Sequence, residues 1–224
     1  MLELIRESER RGGLNVLAIG AHADDIEIGC GGTILRLGAE RLLSSVRWVV
    51  LSAADEREAE ARKGAEAFLQ GVDQVEVLVE RFRDGFFPYV GEAIKTYFEE
   101  HRDSFEPDLI LTPRRDDLHQ DHRLVGELTW NTYRKHLIME YEIPKYDGDL
   151  GSPNLYVELS QEICDRKIDI VLATFRTQSP RRWFDPDAFR GLMRLRGMES
   201  NTDSRFAEGF MCRKVVLRAS EADI

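Results

Sequence analysis

The stretch LNVLAIGAHADDIEIGCGGTILRLGAE (residues 14–40) holds, in order, an apolar run, a histidine, two adjacent carboxylates, a glycine cluster and apolar residues at helical spacing. The run 14–20 is too continuous for a half-exposed strand and reads as a strand buried on both faces. Residues 27–40 carry an apolar stripe of helical period with charges outside it. A buried strand feeding directly into a helix is the first half of a βα unit.

The unit repeats. SVRWVVLS (45–52), QVEVLV (74–79) and DLILTP (108–113) are further short apolar runs, and residues 56–70 and 91–105 carry helical patterns between them. Strict strand–helix alternation means parallel pairing with right-handed crossovers. It predicts a three-layer, Rossmann-like, doubly wound α/β sandwich with a mostly parallel sheet. Beyond residue 140 the pattern loosens. Residues 141–154, rich in Gly, Pro and Asp, read as a long loop that is either a lid or an interface. Residues 155–160 read as a strand, 161–178 and 185–200 as helices, and 207–219 as a closing strand. With no repeat and no composition break, the 224 residues are expected to form a single domain, 1–224.

Bulk chemistry narrows the function. Thirty-one basic against 41 acidic residues give a net charge of −10, which repels phosphate backbones and argues against a nucleic-acid partner. No apolar run approaches the roughly 20 residues of a membrane helix. Residues 1–13, MLELIRESERRGG, have charges throughout and no apolar core, so neither a secretion signal nor an anchor is expected there. Cys30, Cys164 and Cys212 are odd in number and far apart, which fits reduced, buried thiols in a cytoplasmic protein.

Asp24 and Asp25 stand at the end of a buried strand, where two like charges repel each other and lose hydration. Such a pair needs positive charge nearby. The segment LILTPRRDDLHQDHRLVGE (109–127) repeats the placement: a strand ends at Pro113 and the loop after it carries His119, Asp121 and His122. In doubly wound sheets ligands sit beyond the carboxyl ends of the strands, where the topology reverses. If the two strands are neighbours, the two loops converge, and three of the five histidines converge with them.

Catalytic zinc takes three N or O ligands and keeps a position open. His22, one carboxylate of the Asp24–Asp25 pair and one histidine of HQDH supply that set. The second carboxylate is then free as a general base, and the second histidine as an acid or oxyanion partner with an aspartate to orient it. A plainer reading makes Asp24 and Asp25 helix caps, but it leaves the second loop unexplained. Gly29, Gly31 and Gly32 do not fit G-x-G-x-x-G and lie beside carboxylates that repel phosphate, so close packing of helix on sheet accounts for them better. His101 and His136 are placed on predicted helices, away from both motifs.

AHADDIEIGCGGT with a later HQDH resembles the LmbE-like, or PIG-L, family: zinc-dependent hydrolases that remove acetyl groups from N-acetylglucosamine-containing compounds. The family signature is A/P-H-P-D-D before a glycine-rich helix start, then H-x-D-H further along. The likeness runs from the first strand to FAEGF near the end of the chain. It implies that His22, Asp25 and His122 hold Zn2+ or another divalent transition metal, and that Asp24 is the base that activates water. It also implies that His119 stabilises the oxyanion and protonates the leaving amine, oriented by Asp121. Arg57, in a segment similar to the family's R-x-x-E helix, and Asp84, in RDGFF, are implied to bind substrate. Ala23 departs from the family pattern, which has proline there; alanine leaves the loop less stiff but removes no ligand. The resemblance thus implies a cytoplasmic N-deacetylase acting on a small N-acetylated sugar, and a homo-oligomer of unspecified size. The rival expectations are the same hydrolysis on a non-sugar amide, and a catalytically silent α/β protein that binds sugar or nucleotide.

Overall fold

A computed structural model describes residues 12–216. Most of the N-terminal stretch read as lacking a leader, and residues 217–219 of the predicted closing strand, lie outside the described residues. Seven strands form one sheet in the order β3-β2-β1-β4-β5-β7-β6. These are β1 (Leu14–His22), β2 (Leu43–Ser52), β3 (Gln74–Val79), β4 (Leu109–Pro113), β5 (Leu137–Tyr141), β6 (Leu155–Glu158) and β7 (Ala207–Met211). The first five pair in parallel, and β7 runs antiparallel to both β5 and β6. The helices are α1 (Asp25–Ala39), α2 (Glu56–Phe68), α3 (Gly91–His101), α4 (Gln120–Thr132), α5 (Gln161–Thr174) and α6 (Pro186–Glu199). Among the described residues no helix is long and apolar enough to cross a membrane.

The sheet is covered on both faces. Val16, Ala18, Trp48 and Val50 point into a core shared with α1, α2 and α5, while Leu17, Ile19, Val49 and Leu51 point into a second core under α3 and α4. This alternation along β1 and β2, with both faces apolar, is why those strands read as continuous hydrophobic runs. β3 departs from that picture. As the edge strand it is exposed or half-buried along its length, because it has a neighbour on one side only.

Several boundaries differ from expectation. Helix α4 and strand β5 fall outside the predicted helix and strand ranges, and together they form the fourth β-α-β step. His136 lies in the turn between α4 and β5, not on a helix. The helix expected over 161–178 ends at Thr174, and the closing strand ends at Met211, where its pairing with β5 and β6 stops. The three cysteines are free and buried, as their spacing suggested.

The glycine cluster is a packing device. A Cβ on Gly29 would lie 2.2 Å from the Tyr141 ring, one on Gly31 2.4 Å from Phe68, and one on Gly32 2.6 Å from Leu159. Helix α1 therefore sits closer to the sheet and to α2 than any side chain there would allow.

The fold places the site at one point. Beyond β1 the chain proceeds through β2 and β3 toward one edge, whereas β4 and β5 lie on the other side of β1. β1 and β4 are adjacent and parallel, so the loops after His22 and Pro113 open side by side at the carboxyl edge.

Candidate active site

β1 delivers His22 buried at its last position, and the chain turns into α1 through Asp24, whose φ of 110° is rarely adopted by a residue with a side chain. Asp24 occupies the N-cap of α1, yet its side chain makes no capping hydrogen bond. Asp25 instead turns back, and its Oδ2 accepts from the His22 backbone N–H at 2.8 Å. Capping therefore does not account for the carboxylate pair.

Across the β1–β4 boundary, the loop 114–119 and the first turn of α4 deliver His119, Asp121 and His122. His22 Nδ1 lies 3.1 Å from His122 Nε2. Asp25 Oδ2 lies 3.6 Å from His22 Nδ1, and Asp25 Oδ1 lies 3.4 Å from His122 Nε2. Donors about 2.1 Å from a tetrahedral zinc ion stand about 3.4 Å apart, and the two ring nitrogens, each with one of the two Asp25 oxygens, are separated by distances of that order. His22, His119 and His122 also bring ring nitrogens within 4.8 Å of one another, as do the donor atoms of His22, Asp84 and Asp121. His22 belongs to both groups.

The electrostatics agree with the spacing. Burial alone would lower the two imidazoles. Carboxylates override it: Asp25, Asp121 and Asp84 hold His22 well above its usual value, and Asp25 with Asp117 raises His122 to about 9. Burial would raise Asp25, but His122 and His22 hold it well below the usual carboxylate range. Protons on the two rings thus supply the positive charge that the carboxylates require. A divalent cation would supply the same charge and release those protons on binding.

Asp24 stands apart from this donor set. Burial first, then the adjacent Asp25 charge, raises it to about 7, against the pull of Arg57 at 3.7 Å. His119 is half-buried and stacks on the His122 ring with centroids 4.5 Å apart. Burial and the neighbouring His122 and His22 charges lower it, so it stays neutral where the other two are protonated. Its Nδ1 accepts from the Asp121 backbone N–H at 3.3 Å, which leaves the ring proton on Nε2.

Asp121 takes a different position from the one expected of it. Its backbone N–H, not its carboxylate, meets His119. The carboxylate lies 3.2 Å from His22 Nε2 and accepts from the Gly85 and Phe87 N–H groups at 2.6 and 3.1 Å. Arg57 and Asp84 both belong to the cluster. Asp84 lies 3.1 Å from His22 Nε2 and 3.1 Å from the Arg57 guanidinium, which also donates to the Ala23 carbonyl at 3.3 Å. The His22 contact holds Asp84 down at about 2.

Asp117 and Lys145 were not anticipated. Asp117 Oδ2 is 3.2 Å from His122 Nδ1, and its Oδ1 accepts from the His119 N–H at 2.8 Å. Lys145 donates to Asp117 at 3.0 Å and to Asp149 at 2.7 and 2.8 Å, while Asp149 accepts from the Leu118 N–H at 2.8 Å. The loop 142–154, one residue shorter than expected because Tyr141 ends β5, is therefore pinned by buried ion pairs to the loop that carries the histidines. A carboxylate two residues before His119 within one motif was the available signal for Asp117; Lys145 had none.

A doubly wound sheet with buried imidazole and carboxylate donors converging at its topological switch point defines a candidate metal-dependent enzyme. Residues 17–133, just over half of the chain, match the PIG-L family, GlcNAc-PI de-N-acetylase, and the chain belongs to that family of deacetylases. The fold recurs in solved structures. A conserved protein from Thermus thermophilus matches with a TM-score of 0.68 at 23% identity, over 94% of this chain and 100% of that one. The N,N'-diacetylchitobiose deacetylase from Pyrococcus horikoshii matches at 0.65 and 20% identity, over 93% and 86%. The 4-carboxy-2-hydroxymuconate hydratase from Pseudomonas putida matches at 0.71 and 15% identity, over 93% and 99%. At these identities the likeness is one of fold.

Proposed function

We propose that this protein is a metal-dependent hydrolase that removes the acetyl group from an N-acetylglucosamine-containing small molecule or glycoconjugate, with Zn2+ held by His22, Asp25 and His122. The observation that carries this reading is that these three side chains approach one another at 3.1–3.6 Å beside Asp24, a carboxylate left out of the set. When bound, the metal supplies Lewis acidity toward the acetamide oxygen and makes water more acidic.

The chain's own residues do the rest. Asp24, held near 7, takes a proton from the attacking water at neutral pH and can give it up again. His119 offers Nε2–H, first to the oxygen on which negative charge develops and then to the departing nitrogen. One water and one acetamide yield acetate and a free amine. Arg57 donates and Asp84 accepts beside the same site, a pairing suited to sugar hydroxyls. The family assignment and the P. horikoshii enzyme named as a diacetylchitobiose deacetylase support a sugar substrate.

The fold by itself does not choose this chemistry, since it is shared with a hydratase. The test combines metal content with acetate release from N-acetylglucosamine conjugates and from N-acetylated amino compounds. About one zinc per reconstituted chain is expected, lost in Asp25→Ala and retained in an inactive Asp24→Asn. Equal metal loss in both variants would undo the division of roles. Acetate release from the amino compounds alone would replace the sugar with a non-sugar amide.

A further inference from the structure

Helix α1 is not one helix. At Cys30 the backbone leaves helical geometry, with φ −143° and ψ 15°, so a short first segment carrying Asp25 is followed by a second one beginning near Gly31. A break of this kind leaves carbonyls of the first segment and N–H groups of the second without helical partners. Two residues from distant parts of the chain supply them. Lys167 of α5 donates to the Ile28 carbonyl at 2.6 Å. Glu208 of β7 accepts from Gly32 N–H at 2.8 Å, and from the N–H and hydroxyl of Thr33 at 2.7 Å each. The two side chains also pair with each other at 2.6 Å. Both are nearly excluded from solvent, at 3% and 4% exposure, although lysine and glutamate are the residues least often found there.

The placement is directional. Glu208 sits where a helix N-terminus welcomes an anion, and Lys167 sits where a helix C-terminus welcomes a cation. Gly32 is required for the approach, because a Cβ there would come within 2.8 Å of the Glu208 carboxylate. The break also decides where the first segment points. That segment is a single turn, closed by the Ile28 N–H on the Asp24 carbonyl at 2.9 Å, so whatever grips Ile28 grips the turn that carries Asp24 and Asp25.

We propose that Lys167 and Glu208 are positioning residues for the metal loop: their buried ion pair seals the break in α1 and thereby fixes where Asp24 and Asp25 stand relative to His22 and His122. This rests on the metal reading given above. Their hydrogen bonds go to Ile28, Gly32, Thr33 and each other, so each acts on the site through the Asp24–Asp25 turn. The consequence is that metal affinity depends on a pair contributed by α5 and β7, beyond the segment that carries both histidine motifs.

The test measures zinc affinity by competition with a chromophoric chelator, alongside melting of the metal-free protein. The double variant Lys167→Met/Glu208→Gln removes both charges together and so avoids leaving one buried alone, while the Gln side chain cannot accept from Gly32 and Thr33 at once. Zinc affinity is expected to fall about tenfold or more, the scale on which groups that orient a metal's ligands act. The control is Arg47→Met/Glu76→Gln, which removes the ion pair of a buried arginine, 2.6 Å apart, between β2 and β3 on the side of the sheet covered by α3, away from α1. It is expected to lower the melting temperature with zinc affinity unchanged. Unchanged affinity in the Lys167/Glu208 variant, or an equal loss in the control, would overturn the proposal. Zinc that fails to bind the unaltered protein would instead sink the metal reading itself, and the proposal with it.

Discussion

Asp117 Oδ2 lies 3.2 Å from His122 Nδ1, while the Nε2 on the opposite side of the same ring faces His22 and Asp25. This is the arrangement by which a carboxylate fixes the tautomer of a metal-binding imidazole and raises its basicity. Asp117 is almost fully buried, and Lys145 balances its charge. Asp117→Asn is therefore expected to weaken zinc binding roughly 10- to 100-fold, measured by chelator competition. Wild-type affinity in that variant would show that the ring is held by packing alone.

His119 tests which nitrogens belong to the donor set. It lies close enough to His22 and His122 to be a ligand, but the Asp25 contacts complete a set without it. His119→Ala should retain zinc and lose turnover by about 10²- to 10⁴-fold, the contribution of a positioned acid. Loss of zinc instead would move His119 into the metal site and release Asp25 from it.

Two glycines in helices should respond in opposite directions. Gly29→Ala would push a methyl to 2.2 Å from the Tyr141 ring, whose hydroxyl is tied to the Ile19 carbonyl at 2.6 Å and so resists moving. Destabilisation of about 1–3 kcal/mol is expected from overpacking. Gly191→Ala in α6 meets nothing within 4 Å and should stabilise by about 0.5–1 kcal/mol through helix propensity. Urea denaturation of the metal-free variants reads both signs.

Asp149 provides a pH test away from the metal ligands. Burial would raise it, but Lys145 and the Leu118 N–H bring it below the usual aspartate value. A carboxyl whose folded value is depressed contributes stability that is present above its unfolded pKa of about 3.9 and is lost as pH falls through the lower folded value. Asp149→Asn should therefore cost about 2 kcal/mol at pH 6–8, the scale of a charged hydrogen bond. The gap to the unaltered protein should close below about pH 4. A gap that is constant with pH would mean that the side chain acts through shape and not through charge.

The fold was largely legible because parallel strands buried on both faces leave continuous apolar runs, as in VLAI and WVVL, and helices between them leave a 3.6-residue stripe. β5 and α4 were harder to read. LIMEY includes Glu140, which is fully buried and satisfied by Arg115 and Trp130, partners that no local pattern announces. The break in α1 was equally hidden, since GCGG is compatible with a close-packed continuous helix. Only the arrival of Lys167 and Glu208 makes the interruption stable.

The sequence alone determined the chemistry on offer: which imidazoles and carboxylates exist, and that each cluster follows directly on a buried strand. That information is local, carried by residue type and spacing. What faces what was decided by the tertiary structure. The adjacency of β1 and β4 brought His22 and Asp25 to His122 across about a hundred residues. It also turned the Asp121 carboxylate toward His22, while the folding of the segment after β4 placed Asp117 behind His122 and Lys145 tied the loop 142–154 to Asp117. Side-chain direction at a site depends on the packing of elements distant in the chain, and no spacing rule along one strand contains it.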